Sequence, residues 1–333
     1  MVKIVIGALI ILFTLRDLLR ATPFCNHTRR RSGFADLFYQ STWLTWSAVA
    51  LWMKHGYWRD AILHLYLPVA LLLFICTMTS MLMLGFALLR TAITTDGDDP
   101  PGTLSLSMMA LSALQSFVRY GFCIVVAAHL LALYKEHVRR KAKMAEIIAR
   151  LRKPQSMVNL LLGGRQAYGN KRVIENLGRL ERWSAELLMS NRAYPILCLA
   201  GVLPPSQSWL SMQTAIMDAS AAIIAVTEDD DLAVQARDTF AMARRVVVET
   251  AELMEIPTRT PARDRYLLGE LADLHLALAA ADISVREENL ADERLILYQG
   301  TYEPYVYALA DYLLMPLPSW EPVGDPITRM VRH

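Results

Sequence analysis

The sequence has no glutamate before Glu136, no cysteine pair at metal-binding or redox spacing, and almost no alternation of apolar and polar residues at period two. Each absence excludes something. Without the period-two pattern no substantial sheet is expected, so the fold class should be all-α. The four cysteines, Cys25, Cys76, Cys123 and Cys198, are scattered, and two lie inside apolar runs. They form neither a disulfide framework nor a CxxC metal site, and a reducing compartment is the default for any soluble part. Also missing are GxxxxGK[ST], GxGxxG and HExxH, so neither a cofactor nor a metal site is expected.

What is present is apolar. The chain has 333 residues, of which 54% are hydrophobic and 20% charged, with a mean hydropathy of +0.28. That is too apolar for an ordinary soluble surface, and part of the chain is expected to lie in lipid. The net charge of +2 conceals three blocks. Residues 1–134 hold 10 basic and 6 acidic side chains, residues 135–192 hold 14 and 5, and residues 193–333 hold 10 and 21. The solvent is expected to change from lipid to water near Tyr134.

Crossing a bilayer as a helix takes about 20 apolar residues. Residues 61–89 carry no charge across 29 positions, which predicts one crossing with tilt or a kink at Pro68. Residues 103–134 carry only Arg119 and predict a second helix that projects from the bilayer. The run 4–15 is shorter and could pass for a signal-peptide core. The following residues, from Arg16 to Pro23, lack a small-x-small cleavage pattern, which favours an uncleaved anchor. Residues 37–53 are more polar, and Trp43, Trp46, Trp52 and Trp58 cluster there or just after, as indoles do at the headgroup level. The basic residues that follow Tyr134 and the acidic loop 94–101 orient the chain with its C-terminal part in the cytoplasm.

Arg29, Arg30 and Arg31 also favour the cytoplasm, and this conflicts with four full spans. Three spans with the N-terminus outside satisfy the charges, and four satisfy the lengths. Four membrane-embedded helices are slightly preferred, without requiring the second to cross fully.

Two features qualify as contact surfaces. In the second strong segment Ser105, Ser112, Gln115, Ser116 and Arg119 recur at spacings of three, four and seven, which puts them on one helical face. Ser112, Gln115 and Arg119 would line a polar seam or pore. The plainer and preferred reading is an interfacial arginine that snorkels. His64 and His129 fall nearer segment ends and are read as interfacial histidines, and Gly85 and Ala87 as packing sites.

Beyond Tyr134 the helix is expected to continue as a basic collar that ends at Pro154. Arg139, Arg140, Lys141, Lys143, Arg150 and Lys153 are the candidates for contact with anionic headgroups. Nucleic acid is disfavoured because interleaved aromatics and a recognisable module are both missing.

The remainder reads as helices. Residues 161–172, with Gly163 and Gly164, predict a polar interhelical loop. Val173, Leu177, Leu180, Ser184, Leu187 and Leu188 predict one buried face, and residues 209–226 the next helix. Thr227 is expected to be the N-cap of a helix that presents Leu232, Ala236, Phe240, Ala243, Val247 and Ala251. A further helix is expected from Pro261, showing Leu267, Leu271, Leu274, Leu278 and Ala281. His275 lacks a partner at i±3 or i±4 and is read as a helix-surface residue. Glu287, Glu288, Asp292 and Glu293 are read as a solvated face, and Tyr298, Tyr302, Tyr305 and Tyr312 as a packing cap.

These features predict a transmembrane domain of three to four membrane-embedded helices (1–134), a basic juxtamembrane helix (135–154), a cytoplasmic α-helical bundle (155–315) and a proline-rich tail (316–333). The opposed charges of collar and bundle suggest a non-enzymatic membrane-anchored adaptor or effector that binds a cytoplasmic partner or a second copy of itself. The alternatives are an oligomeric channel around Ser112, Gln115 and Arg119 and, least favoured, a membrane enzyme.

Overall fold

The computed structural model describes residues 1–21, 33–53, 56–95, 106–151, 165–199, 208–259 and 288–317. Among these residues the chain is all-helical, 91% in helices and none in strands. The loop with Arg29 to Arg31, the loop 96–105, the glycines of the 161–164 run, the helix expected from Pro261 with His275, Glu287, and most of the tail lie outside the described residues. The chain divides into two compact units, one built mainly from residues 1–137 and the other mainly from Val138 onward.

The first unit contains α1 (Val2–Ala21), α2 (Phe34–Trp52), α3 (Tyr57–Thr95) and most of α4 (Leu106–Leu151). Two helices, α3 and α4, are long and apolar enough to cross a membrane. α3 runs through Pro68 for 39 residues, about 58 Å at 1.5 Å per residue. That exceeds any bilayer core, and its length determines how the unit is built.

α1 and α2 both lie against α3, one after the other. Gly7 of α1 meets Gly85, Leu88 and Leu89 of α3, while Leu18 shares a cleft with Leu71, Phe74, Ile75 and Met78. Further along, the rings of Phe38 and Tyr39 in α2 pack on Phe74 at 5.5 and 5.3 Å, and the Trp46 indole N–H donates to the carbonyl of Ile62 at 3.0 Å. Both helices therefore run antiparallel to α3, with α1 covering its C-terminal half and α2 its N-terminal half.

Each half uses a different contact. At the α1–α3 crossing a Cβ on Gly85 would come within 2.7 Å of the Ile11 side chain and 3.1 Å of the Gly7 carbonyl, so only glycine lets the backbones approach this closely. Between α2 and α3, Tyr66 is fully buried. Its hydroxyl donates to the Tyr39 carbonyl at 2.8 Å, and its ring meets Trp43 edge-on at 4.9 Å. This corrects the interfacial reading of the indole cluster in part. Trp43 is only 2% exposed and packs within the unit, whereas Trp52 and Trp58 are 91% and 73% exposed.

The second unit is a helical bundle of α5 (Arg165–Ala193), α6 (Trp209–Val226), α7 (Asp230–Leu253), α8 (Glu288–Gly300) and α9 (Glu303–Leu313), joined by the end of α4 and a short 3₁₀ turn at Pro195–Leu199. α5 begins at Arg165, so the expected polar loop does not extend to Arg172. No proline between Gln166 and Arg172 stops the helix.

All six residues of the expected α5 face are buried, and so are all six of the α7 face. α6 is buried on every side from Trp209 to Ala225, as an all-round apolar helix in a core must be. The α7 cap lies two residues later than expected. Thr227 closes α6, its N–H bonded to Ile223, and its hydroxyl accepts from the Asp229 N–H. The true cap is Asp229, whose Oδ1 accepts from the N–H of Leu232 at 3.1 Å.

Candidate functional site

The polar stripe on α4 faces outward in the single chain. Ser112, Ser116 and Arg119 are exposed and Gln115 is half-buried. The two hydroxyls are satisfied by their own helix, Ser112 donating to the Met108 carbonyl at 2.8 Å and Ser116 to the Ser112 carbonyl at 2.9 Å. Hydroxyls bonded back to the i−4 carbonyl are a low-cost way to carry serine in an apolar helix. The stripe therefore does not line a pore within one copy of the chain.

The collar is divided by the helix rotation. Arg140 is half-buried, and its Nε donates to the Ser190 hydroxyl of α5 at 2.7 Å. Lys143 reaches Glu186 of α5 at 3.5 Å, and Met144 is buried on the same side. These residues dock the end of α4 onto α5, which the charge count alone could not show. Arg139 and Lys141 are exposed. The helix ends at Leu151, the side chain of Arg150 is not described, and Lys153 lies outside the described residues.

Behind Arg140 lies Cys198, fully buried. Burial pushes its thiol up to about 11, against the pull of Arg140. The thiolate is suppressed and the residue behaves as a small core hydrophobe.

The bundle core is laced with polar pairs that the sequence reading did not contain. Ser184 of α5 bonds Gln213 of α6 at 3.1 Å, and Asn191 of α5 donates to Thr250 of α7 at 2.9 Å. Tyr302, at the start of α9, donates its hydroxyl to Asp218 of α6 in a fully buried contact. Tyr298 and Tyr302 flank Phe240 of α7 at 5.0 and 5.8 Å, so two of the four tyrosines pack against α7. Glu249 of α7 is gripped on the surface by Arg192 and Arg245. Burial works against its charge, but the two guanidiniums outweigh it and hold the carboxyl below its ordinary value. Bonds from the Leu232 N–H and from Asn170 hold Asp229 below its ordinary value as well.

In the first unit a narrow apolar cleft is lined by Leu18, Tyr39, Phe74, Met78, Phe122 and His129 among others. Beside it Asp17 is 5% exposed and accepts the backbone N–H groups of Phe34 and Ala35. A carboxylate of α1 thus caps the start of α2. The signal for it was a lone acid ending an apolar run, which is too common to single out.

Among the described residues no cluster of three or more histidine, cysteine or carboxylate side chains could hold a metal ion. No protein-family model, curated protein or solved structure matches this chain.

Proposed function

We propose that the protein is a membrane-anchored adaptor or effector whose helical bundle lies in the cytoplasm and binds a partner protein. The observation that carries this reading is the division of the collar. Arg140 and Lys143 bond to side chains of α5, and Arg139, Lys141 and Lys143 are exposed beside a bundle with an acidic composition. Exposed cations next to an apolar segment suit anionic headgroups, at about 1 kcal/mol for each. The exposed apolar surface supports the membrane assignment. Among the described residues, all but four of the large exposed hydrophobic side chains, Met189, Val234, Ile296 and Leu297, lie at or before Val138.

In this reading the chain makes three passages, α1, α3 and α4, with the N-terminus outside and α2 lying at the cytoplasmic interface beside the N-terminal end of α3. This arrangement draws support from the end-to-end packing of α1 and α2 and from the positive-inside bias. A topology reporter fused after Arg31 tests it, and an extracytoplasmic signal there would overturn it. For the adaptor role the test is Arg139→Glu with Lys141→Glu. Recovery of a stoichiometric partner and of anionic lipid with the purified chain should both fall, and unchanged recovery of both would count against the reading.

The exposed stripe favours one second reading, an oligomeric channel in which several copies turn Ser112, Gln115 and Arg119 to a common axis. Conductance in planar bilayers that is absent, or indifferent to Arg119→Leu, removes it.

A further inference from the structure

Where α1 ends and α2 begins, beside Phe74 and Met78 of α3, Asp17 occupies an unusual position. One side of its carboxylate is well served, since the Phe34 and Ala35 N–H groups donate to it at the positive end of α2. Gly33 comes so close that a Cβ there would sit 3.5 Å from Oδ1. The other oxygen, Oδ2, is buried and has no hydrogen-bond partner among the described residues. Side-chain carboxylates with a desolvated, unpaired oxygen are expensive, and a proton on that oxygen removes the cost.

The charged and titratable neighbours come from each element of the unit. On α1, Arg16 and Arg20 are exposed and act on Asp17 through space. On α2, Asp36 turns away to accept the Gly33 N–H at 3.0 Å, and Tyr39 feels the charge of Asp17. Tyr66 of α3 reaches the group only through Tyr39. His129 of α4 lines the same cleft as Leu18 and Tyr39. The helix end and the two arginines favour the anion, while the buried Oδ2 favours the acid. A metal cation fits poorly, because it would enter a positive environment and find a single oxygen.

We propose that Asp17 is a proton-binding site whose occupancy decides whether the break between α1 and α2 is closed. Ionised, the carboxylate holds the first turn of α2 against the last turns of α1. Protonated on Oδ2, it keeps weak acceptor capacity but loses the attraction of charge for the helix dipole, and the two ends separate. The site is independent of the adaptor reading and requires only that the first unit fold as described.

The experiment uses the full chain in liposomes with its native cysteines replaced and spin labels at Leu19→Cys and Leu37→Cys, both exposed positions flanking the break. Dipolar broadening between the labels should be present at about pH 8 and lost at about pH 4. Asp17→Asn, the neutral isostere of the protonated acid, should lack the broadening at both, and so should Asp17→Ala. A protonated-carboxyl infrared band should appear on acidification in the native chain and not in Asp17→Asn. Broadening that is indifferent to pH in the native chain overturns the proposal, and so does pH dependence that persists in Asp17→Asn. A response to sodium at fixed pH would replace the proton by a metal ion and also overturn it. Should Asp17→Asn fail to insert, the native labelled chain still decides.

Discussion

In the first unit, α1 and α3 meet through two glycines, and the exposed side chains around them are leucine, isoleucine and phenylalanine. In the second, the helix pairs share buried polar rungs, Ser184 with Gln213, Asn191 with Thr250 and Tyr302 with Asp218. The two units thus bury different material. Where the outside is apolar, burying another leucine gains nothing, and helices associate by close backbone approach and a few directed bonds such as Tyr66 to the Tyr39 carbonyl. Where the outside is water, apolar burial supplies the attraction, and polar rungs select one arrangement of the helices. An average composition over the whole chain hides both rules.

The sharpest way to break this contrast is steric. Gly85→Leu should destabilise the first unit by about 1–3 kcal/mol or more, read as a fall in the unfolding midpoint in detergent. Gly121→Leu on α4, where an added Cβ meets nothing within 4 Å, should leave it unchanged. Equal effects would mean that close approach is not what joins α1 to α3.

The corresponding test of the bundle is chemical. Tyr302→Phe leaves the packing against Phe240 in place and removes one donor from buried Asp218, at a cost of about 1–3 kcal/mol. Hydrogen exchange in α6 and α9 should accelerate while that of α1 to α3 stays constant. Asp218→Asn in the same background should restore part of the loss, because a buried amide loses less than a carboxylate when one donor is removed.

A smaller effect separates the two units by pH. Both Asp229 and Glu249 titrate below their ordinary values of 3.8 and 4.5 in the folded bundle. The stability they contribute is therefore complete above those values and is lost as pH falls through the lower folded values. Within the bundle, acid should loosen the ends of α7 first. Asp229→Ala should cost about 1 kcal/mol as a lost cap and remove its share of the acid sensitivity. Thr227→Ala should cost less, since Thr227 is not the cap of α7.

How far the sequence could be read depends on the range of the interactions involved. The faces of α5 and α7 were legible because burial of one side imposes a 3.6-residue period on Val173 to Leu188 and on Leu232 to Ala251. α6 was legible as an apolar block closed by Thr227. The cap was misplaced because Thr227, Asp229 and their neighbours are all competent caps, and the choice rests on which backbone turns first into the helix. Burial of Trp43 and the donor bond of Trp46 were not legible, since an indole suits an interface and a core equally well until its neighbour is known. The Arg139 and Arg140 pair could be seen as charge but not divided, because one residue of rotation decides which faces α5. Asp17 as a cap for α2 depends on α3 being long enough to carry two helices in sequence, a property of residues 57–95 that nothing near residue 17 announces.

That arrangement has a consequence for the order of synthesis. The first 52 residues leave the ribosome before the helix on which they both lie has been made. At about 5–20 residues per second, α1 waits several seconds for the C-terminal half of α3, the half that carries Gly85. During that interval Gly7 has no partner backbone, and α2 has only α1 to lie against, through the Asp17 cap and the Phe13–Phe34 ring contact. The most apolar segment of the chain is thus also its assembly template, and a ribosome pause before Gly85 should leave the N-terminal helices open to insertase or protease for as long as the pause lasts.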